Sequence, residues 1–448
     1  MSSLVYRICA LLAQVLARVP VGTNLGLLHL IFALLSGRFL AARGAVFPAL
    51  ASLGLSDADV RRSAAALCYG RWQTADLLTQ WQQVVAREGR FVPCDYEGVR
   101  PVACDLTAFF RPRLRGPEGK PLGSKHYVSA AGKALPALVL GLCVAVGRAG
   151  GARLSLPRLV LRREAGETEA TLQRRLVTQA AHTLASGEAL VVDAGFGLTD
   201  LLGLPDLRFV ARARANQTAR RSVLPPYKGR GRRPERGELV RPLARTRAGR
   251  TIGATPADAT AHWTDGRHQL WAEVWEGLVL PDGRPGDPAF RLVAIHDPRH
   301  REPLLLASSL TVSAQALWRL YRERWAVEQL PLSAKPMLGA ERAFVWGQES
   351  RYRLPELSLL AGSLLSYVAA TGTPVASGFW DRAARPTCGR VRRCLSRVHY
   401  SELPCQGGQL RRKNSVTAHL KTGIKAHRRH KAAQLPPEAA CDRAFTGN

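Results

Sequence analysis

The chain has 448 residues, 46% of them hydrophobic, which is enough for a buried core and about two to four domains and excludes a disordered protein. Its 64 Lys and Arg against 34 Asp and Glu give a formal net charge of +30. This charge attracts polyanions, DNA first, with RNA or a membrane surface as alternatives. Such an excess gives only salt-dependent affinity without base preference, so it identifies no chemistry.

The cysteine pattern favours a reducing compartment. The nine cysteines include no CxxC pair, and their odd number and wide scatter fit a cytoplasmic protein better than a disulfide framework. A zinc site of Cys388, Cys394, Cys405 and His399 is the alternative use, but its gaps differ from the usual ligand spacings. We interpret most cysteines as small buried hydrophobes.

The apolar start of the chain predicts neither a signal peptide nor a membrane span. Gln14 interrupts the first apolar run, and no clear cleavage site follows. The next run, Leu25–Leu35, has 11 residues and contains His29, whereas a spanning helix needs about 20. We therefore expect no membrane partner.

Residues 1–90 are predicted to form a helical N-terminal domain. Leu- and Ala-rich segments are interrupted at Pro20, Gly37 and Pro48, and Ser56-x-x-Asp59 is a capping pattern that begins another helix. The excess of Arg on these helices suggests binding to DNA ends, and a packing or assembly domain is the alternative.

An α/β core is predicted next. Residues 99–110, 134–146 and 153–162 are apolar, β-favouring stretches, and a helix follows from Thr168 to Ser186 with Gly187 as its cap. A short strand before Asp193 and a further strand at 207–213 complete the order strand, strand, strand, helix, strand, helix, strand. This order matches a ribonuclease-H-like core, although periodicity alone does not separate it from other α/β folds.

A strongly basic region follows the core. Residues 208–250 contain 14 basic and two acidic residues, and strands are predicted at 269–280, 290–297 and 303–310 before helix resumes near Ser313. Between Arg390 and Lys431, 12 basic residues face one acidic residue, which indicates a DNA-contacting tail or a solvated one. The predicted divisions after the N-terminal domain are the first core part at 98–215, a basic β-rich insertion at 216–288, the second core part at 289–375 and a basic C-terminal region at 376–448.

The most informative motif is Tyr321-x2-Arg324-x3-Glu328-x6-Lys335. At about 100° per residue, an unbroken helix would place these four side chains within about 60° of one another. Glu328 could then ligate a metal, while Arg324 and Lys335 pair with phosphate oxygens and Tyr321 supplies a hydroxyl. The alternative is a solvated helix with an Arg324–Glu328 salt bridge at i, i+4.

This spacing resembles the YREK signature of bacterial insertion-sequence transposases with a DDE active site. The segments VACDLTAFF and LVVDAGFG resemble the family's first and second acid blocks, so the resemblance implies Asp105, Asp193 and Glu328 as catalytic, metal-binding acids. Asp95 and Asp200 are the competing acids and lack that context. The interval from Asp193 to Glu328 is 328 − 193 = 135 residues, as in family members with a β-rich insertion.

The resemblance also implies a reaction and its partners. Two Mg²⁺ ions, with Mn²⁺ as a substitute, would activate water for end cleavage and a DNA 3′-hydroxyl for joining. The partners would be the terminal inverted repeats, target DNA and a second copy of the chain in a synaptic dimer. A nuclease without joining activity and a non-catalytic DNA-binding derivative are the alternative functions.

Two sequence features qualify this interpretation. Pro331 and Pro336 disturb the end of the motif helix, so Lys335 is expected to point elsewhere. Trp271 and Trp275 share one side of a predicted strand, with Trp263 nearby. They could stack an unpaired base, and core packing is the favoured alternative.

Overall fold

The computed structural model describes residues 3–111, 125–128, 132–227, 229–342, 345, 347–374, 376, 378–382, 387–399 and 410. These residues fall into two compact units. The first unit lies within Met1–Val92, Leu106–Gly166 and Ala326–Asn448. The second consists of Pro93–Asp105 and Glu167–Trp325.

The first unit is mainly helical. Its N-terminal part contains α1 (Ser3–Leu16), α2 (Thr23–Leu35), α3 (Arg38–Ala41), α4 (Val46–Ala51), α5 (Asp57–Tyr69) and α6 (Thr74–Glu88). Its C-terminal part contains α10 (Ala326–Leu332), the π-helical segment Ser333–Met337, the 3₁₀ turn Ala340–Arg342, α11 (Ser350–Thr371) and α12 (Cys388–Ser396). Leu, Ile, Val and Phe side chains of these helices form one buried core, which is why helices such as α2 are apolar on all sides.

The helix signals in the N-terminal part act largely as predicted. The Ser56 hydroxyl accepts a hydrogen bond from the backbone N–H of Asp59 and begins α5. Pro20 lies between α1 and α2. The predicted interruption at Pro48 is wrong, because this residue lies in the first turn of α4, where a missing N–H costs no intrahelical bond.

The strands of the first unit surround β4 (Lys133–Ala149). β5 (Ala152–Arg162) and β3 (Lys125–Val128) both pair with it in antiparallel fashion. β2 (Arg100–Phe110) is also its neighbour, and residues Leu106–Phe110 of β2 belong to this unit. The short strand β1 (Val92–Pro93) lies at the unit boundary.

The second unit contains a mixed sheet. The first half of β2 pairs in parallel with β6 (Glu188–Val192), which pairs in parallel with β7 (Phe209–Arg212). The sheet continues in antiparallel fashion through β15 (Leu304–Ser308), β14 (Phe290–His296), β13 (His268–Val279), β8 (Ala219–Arg221) and β9 (Leu239–Val240). β12 (Ala259–Asp265) also pairs with β13, and β10 (Arg245–Arg247) forms a separate hairpin with β11 (Arg250–Ile252).

The second unit also contains three helices, α7 (Glu169–Ala181), α8 (Leu198–Leu202) and α9 (Ala314–Glu323). Leu317 and Leu320 of α9 share a buried cluster with Ala189 of β6 and Val210 of β7. Burying a side chain of this size contributes about 1.5–3 kcal/mol, so the apolar stripe holds α9 against the sheet.

The fold is therefore mixed α/β, with a mixed sheet and flanking helices, and it is compatible with a ribonuclease-H-like fold. The chain order β2, β4, β5, α7, β6, α8, β7 agrees with the prediction, which lacked only β3.

The predicted end of α7 is wrong. The helix stops at Ala181, five residues before Ser186. The Thr183 hydroxyl donates to the Ala180 carbonyl, and the Glu188 carboxylate accepts from the Ala185 N–H, so both side chains stabilise a turn in place of the last helical residues. Gly187, with φ of +79°, completes this turn and does not cap the helix.

One described helix, α11, is long and apolar enough to cross a membrane by length and composition alone. Most of its apolar window is buried inside the protein, which is the burial expected of a core helix.

Candidate active site

Two aspartates occupy matching positions on neighbouring parallel strands of the second unit. Ala103 of β2 lies opposite Val191 of β6. Asp105 and Asp193 each follow two residues later, so the register places them side by side and on the same face. Neighbouring strands are about 4.8 Å apart, so a continuation of this register would place both aspartates at the same end of the β2–β6 pair. Asp193 directly follows the end of β6, as predicted, whereas Asp105 lies within β2, which continues to Phe110.

Tyr321 of the motif contacts the second of these acids. Its hydroxyl donates to Oδ1 of Asp193 at 3.0 Å, and the backbone N–H of Ala194 donates to the same oxygen at 2.8 Å. Burial, and then the negative charge of Asp193, raise the pKa of Tyr321 to about 12. The phenol therefore stays protonated at neutral pH and acts as a hydrogen-bond donor.

Arg324 of the motif contacts the first acid. Its guanidinium donates to Oδ2 of Asp105 at 3.1 Å, and it also lies 5.9 Å from the centroid of the Tyr321 ring. The Asp105 and Asp193 side chains remain 29% and 35% exposed, so each carboxylate can still be reached from solvent. Two motif residues thus hold one acid each.

Arg212 is a site residue that sequence reasoning missed. Its guanidinium lies 4.0 Å from Oδ1 of Asp193, and the pairing of Val192 with Ala211 places Arg212 beside Asp193 in the register of β6 and β7. In the sequence it is one of 14 basic residues in a biased stretch, and only the strand register distinguishes it.

α9 brings Tyr321 and Arg324 to this point. Ser313 caps the helix by accepting from the Ala316 N–H at 3.1 Å, and the Glu97 carboxylate accepts from both the N–H and the hydroxyl of Ser313. These hydrogen bonds lower the pKa of Glu97. The N-terminal end of α9 is therefore fixed on residues outside the helix.

The motif does not lie on one unbroken helix. α9 ends at Glu323, the Arg324 N–H bonds the Tyr321 carbonyl three residues back, and α10 begins at Ala326. The tighter i→i−3 bond is typical of a terminal helical turn. The unbroken helix assumed for the motif is therefore wrong, and the interruption precedes both prolines.

The last two motif residues belong to the first unit. Glu328 lies in the first turn of α10 and is half-buried. Lys335 lies in the π-helical segment, where the 3.6-residue periodicity assumed for its offset does not apply. Its Nζ is 5.1 Å from the centroid of the Phe109 ring, and burial lowers the pKa of this amine.

The competing acids have other partners within the second unit. Asp95 accepts from the Gly98 N–H in the turn before β2, at 2.9 Å. Asp200 forms an ion pair with Arg174 at 2.8 Å. Both contacts give these carboxylates a structural role.

The donor chemistry of Asp105 and Asp193 fits a divalent cation. Mg²⁺ prefers oxygen ligands and is usually held by one or two carboxylates together with waters and substrate phosphates. Within the part of the chain that the structure describes, no three His, Cys, Asp or Glu side chains come together as a metal-binding group. Of the four residues considered above for a zinc site, Cys405 lies outside the described residues.

The three tryptophans have different environments. Trp275 is fully buried, and its Nε1–H donates to the carbonyls of Thr255 and Pro256. Trp263 is buried, with its ring centroid 6.0 Å from that of Trp318. Trp271 is 38% exposed. Core packing thus applies to Trp263 and Trp275, and Trp271 remains available to a ligand.

Comparison with protein-family models gave no match for this sequence, and comparison with curated proteins gave none either.

Proposed function

We propose that the chain is a DDE transposase that cleaves DNA ends and joins them to target DNA by in-line phosphoryl transfer. The observation that carries this proposal is the matched position of Asp105 and Asp193, each held by one residue of the Tyr-Arg-Glu-Lys motif. Tyr321 thus contacts an aspartate 128 residues away in the sequence, and Arg324 contacts one 219 residues away, both within the second unit.

Each residue has a defined task in the proposed reaction. Asp105 and Asp193, with Glu328 as the proposed third acid, provide carboxylate oxygens for two Mg²⁺ ions, which Mn²⁺ could replace. When bound, these ions activate the attacking oxygen and stabilise the leaving 3′ oxygen. Arg324 binds a phosphate oxygen with its guanidinium.

The remaining charged groups act on the DNA backbone. Arg212, 54% exposed beside Asp193, adds a second guanidinium at the sheet. Lys335 is proposed to contact DNA, although its lowered pKa and its position against Phe109 make it the weakest member of the set.

Tyr321 is proposed as a donor and not as the nucleophile. A tyrosine that attacks phosphorus must lose its proton, and the raised pKa of Tyr321 opposes that loss. Water for cleavage and a DNA 3′-hydroxyl for joining remain the nucleophiles, so no covalent protein–DNA intermediate forms.

The partners and organisation follow from the same proposal. The chain would bind the inverted ends of its own element and target DNA as a homodimer in the cytoplasm. Residues 98–215 and 289–375 would form the ribonuclease-H-like core, and residues 216–288 the insertion. The net charge of +30 supports binding to a polyanion.

A non-catalytic DNA-binding protein is the second candidate. The ion pair of Arg324 with Asp105, at 3.1 Å, favours this candidate, because it places a side-chain cation on a carboxylate that a metal ion would otherwise use. The same basic surface would then serve binding alone.

Cleavage and joining of DNA that carries the element's own termini tests the proposal. With Mg²⁺ we expect the parent to release 3′-hydroxyl ends and transfer them, and Asp193→Asn to do neither. Asp95→Asn is the matched control, because asparagine keeps the oxygen that accepts from Gly98. Equal activity of Asp193→Asn and the parent would contradict the mechanism, and cleavage without transfer would identify a nuclease.

A further inference from the structure

A tight turn of the second unit directly precedes β2. The backbone N–H of Tyr96 donates to the Val99 carbonyl at 2.9 Å, and the N–H of Val99 donates to the Tyr96 carbonyl at 3.1 Å. The two residues between them, Glu97 and Gly98, have φ values of +56° and +77°. Positive φ at both central positions is the pattern of a type I′ turn. Asp95 accepts from the Gly98 N–H and stabilises the same turn.

Two consecutive side chains of this turn contact opposite ends of α9. Glu97 accepts from the N–H and from the hydroxyl of Ser313, the cap residue at the N-terminal end of the helix. The Tyr96 hydroxyl donates to Oε1 of Glu323, the last residue of α9, at 2.6 Å. The turn therefore holds the helix at both ends.

Glu323 lies where the helix would otherwise bury an apolar side chain. It continues the buried stripe of Ala316, Leu317 and Leu320 at helical spacing, and it is only 1% exposed. Charged side chains are almost never buried to this degree unless they are paired. Because a leucine would satisfy the packing, the carboxylate indicates that an acceptor for the Tyr96 hydroxyl is needed here.

The position of Glu323 controls the rotation of α9 about its axis. Successive residues of a helix are about 100° apart, so Glu323 lies about 200° from Tyr321, on the opposite side of the helix. While the Glu323 side is buried, the Tyr321 side faces Asp193, to which its hydroxyl donates. Arg324 follows Glu323 directly and donates to Asp105. A displacement of Glu323 would therefore disturb both contacts.

The same turn leads into the strand that carries Asp105. β2 begins at Arg100, directly after Val99, and the Arg100 N–H donates to the Gly187 carbonyl just before β6. Val99 also belongs to the same buried cluster as Leu320 of α9. The turn is thus joined covalently to one aspartate-bearing strand and by hydrogen bonds to the helix that contacts both aspartates.

We propose that Tyr96 and Glu323 are positioning residues of the candidate active site. Their hydrogen bond holds the C-terminal end of α9, so that Tyr321 and Arg324 keep their contacts with the two aspartates. Glu323 is buried and acts only through the helix. The effect on catalysis rests on the proposed function, whereas the anchoring of α9 does not.

Three variants of the full-length chain separate positioning from packing. Tyr96→Phe removes only the hydroxyl, Glu323→Gln keeps an oxygen that can accept from it, and Glu323→Leu keeps a buried side chain without an acceptor. Thermal unfolding should show Glu323→Leu about as stable as the parent, because an apolar residue suits the buried stripe. A merely structural role would therefore leave Glu323→Leu fully active.

Tyr227→Phe is the matched control. It also removes a tyrosine hydroxyl that donates a hydrogen bond within the second unit, in this case to the Gly231 carbonyl at 3.0 Å. We expect this variant to behave as the parent in every measurement.

Hydrogen–deuterium exchange followed by mass spectrometry measures the anchoring without catalysis. We expect faster exchange at the C-terminal end of α9 in Tyr96→Phe and Glu323→Leu than in the parent. Mg²⁺-dependent cleavage of DNA ends at saturating protein should be about tenfold slower in both variants, because misplacement by about 1 Å can cause losses of this size or more. Their affinity for the same DNA should stay close to that of the parent, and Glu323→Gln should keep both the slow exchange and the cleavage.

Each outcome decides the proposal. Faster exchange together with slower cleavage in Tyr96→Phe and Glu323→Leu, with both properties preserved in Glu323→Gln, supports it. Parental exchange in Tyr96→Phe, or parental cleavage by Glu323→Leu, overturns it. If the parent cleaves no terminal DNA, faster exchange that extends to Arg324 in Tyr96→Phe supports the anchoring of the site, and only the transposase proposal is contradicted.

Discussion

The contrast between Trp271 and Trp275 gives a sharp prediction about stability. Both lie on the same face of β13, but Trp275 is fully buried, and its indole N–H serves the carbonyls of Thr255 and Pro256 at 3.1 and 3.0 Å. Truncation of a core tryptophan to alanine costs about 3–5 kcal/mol, and loss of the donor to two carbonyls places Trp275→Ala at the upper end. Trp271→Ala removes the stacked pair that Trp271 forms with His296, and such a pair contributes about 1 kcal/mol.

Thermal unfolding followed by far-UV circular dichroism measures this difference. For a unit of this size, about 1 kcal/mol shifts the melting temperature by about 2–4 °C, so we expect a decrease of about 10 °C or more for Trp275→Ala and about 3 °C for Trp271→Ala. Trp275→Phe keeps a ring but lacks the N–H, and it should fall between them. Equal decreases for the two alanine variants would refute the assignment of Trp275 to the core and of Trp271 to the surface.

Three further predictions concern the site and the helix that carries it. Ser313→Ala removes the cap of α9 and should lower the free energy of unfolding by about 1 kcal/mol, whereas exposed Thr311→Ala should not; equal effects would contradict the capping role. The pKa of Tyr321 is about 12 in the folded state against an ordinary value of 10, so its contribution to stability is complete below pH 10 and is lost as the pH rises through 12. Denaturant unfolding at pH values from 9 to 12 should therefore show a decreasing difference in the free energy of unfolding between the parent and Tyr321→Phe. A constant difference would show that the ionisation of Tyr321 does not affect stability in this range. Arg212→Gln should weaken binding to duplex DNA by a similar factor for all sequences, and the slope of log affinity against log salt concentration should fall in magnitude by about 1. Exposed Arg301→Gln is the comparison. An unchanged slope in Arg212→Gln would show that Arg212 does not contact the DNA.

The sequence predicted the secondary structure of the core well because its signals are local. β2, β4, β5, β6 and β7 are apolar stretches, and the start of α9 carries a Ser313 cap that can be recognised without the fold. Errors occurred where a side chain some residues away decides the local structure. The end of α7 depends on Thr183 and Glu188, and neither forms a standard capping pattern.

The candidate site was predictable in its residue types but not in its contacts. The motif identified Tyr321 and Arg324, and only the register of β2 with β6 shows that they hold two aligned aspartates. Arg212 depends on the register of β6 with β7, which a basic stretch hides. The interruption between α9 and α10 was also unpredictable, because helical offsets assume an unbroken helix.

The tryptophans illustrate the same limit. The alternation of side chains along a strand places Trp271 and Trp275 on one face. This alternation does not show that Thr255 and Pro256 contact Trp275 and not Trp271. The stacking of Trp271 on His296, with ring centroids 3.7 Å apart, likewise depends on the register of β13 with β14.

Glu328 offers the most direct test of the proposed transposase, since it is the acid of the motif itself. The measurement is the Mg²⁺-dependent release of 3′-hydroxyl ends from DNA that carries the element's termini. We expect Glu328→Gln to lose this activity while it still binds the DNA, and Asp200→Asn, which alters only an exposed ion pair with Arg174, to keep it. Cleavage by Glu328→Gln at the rate of the parent would contradict the account.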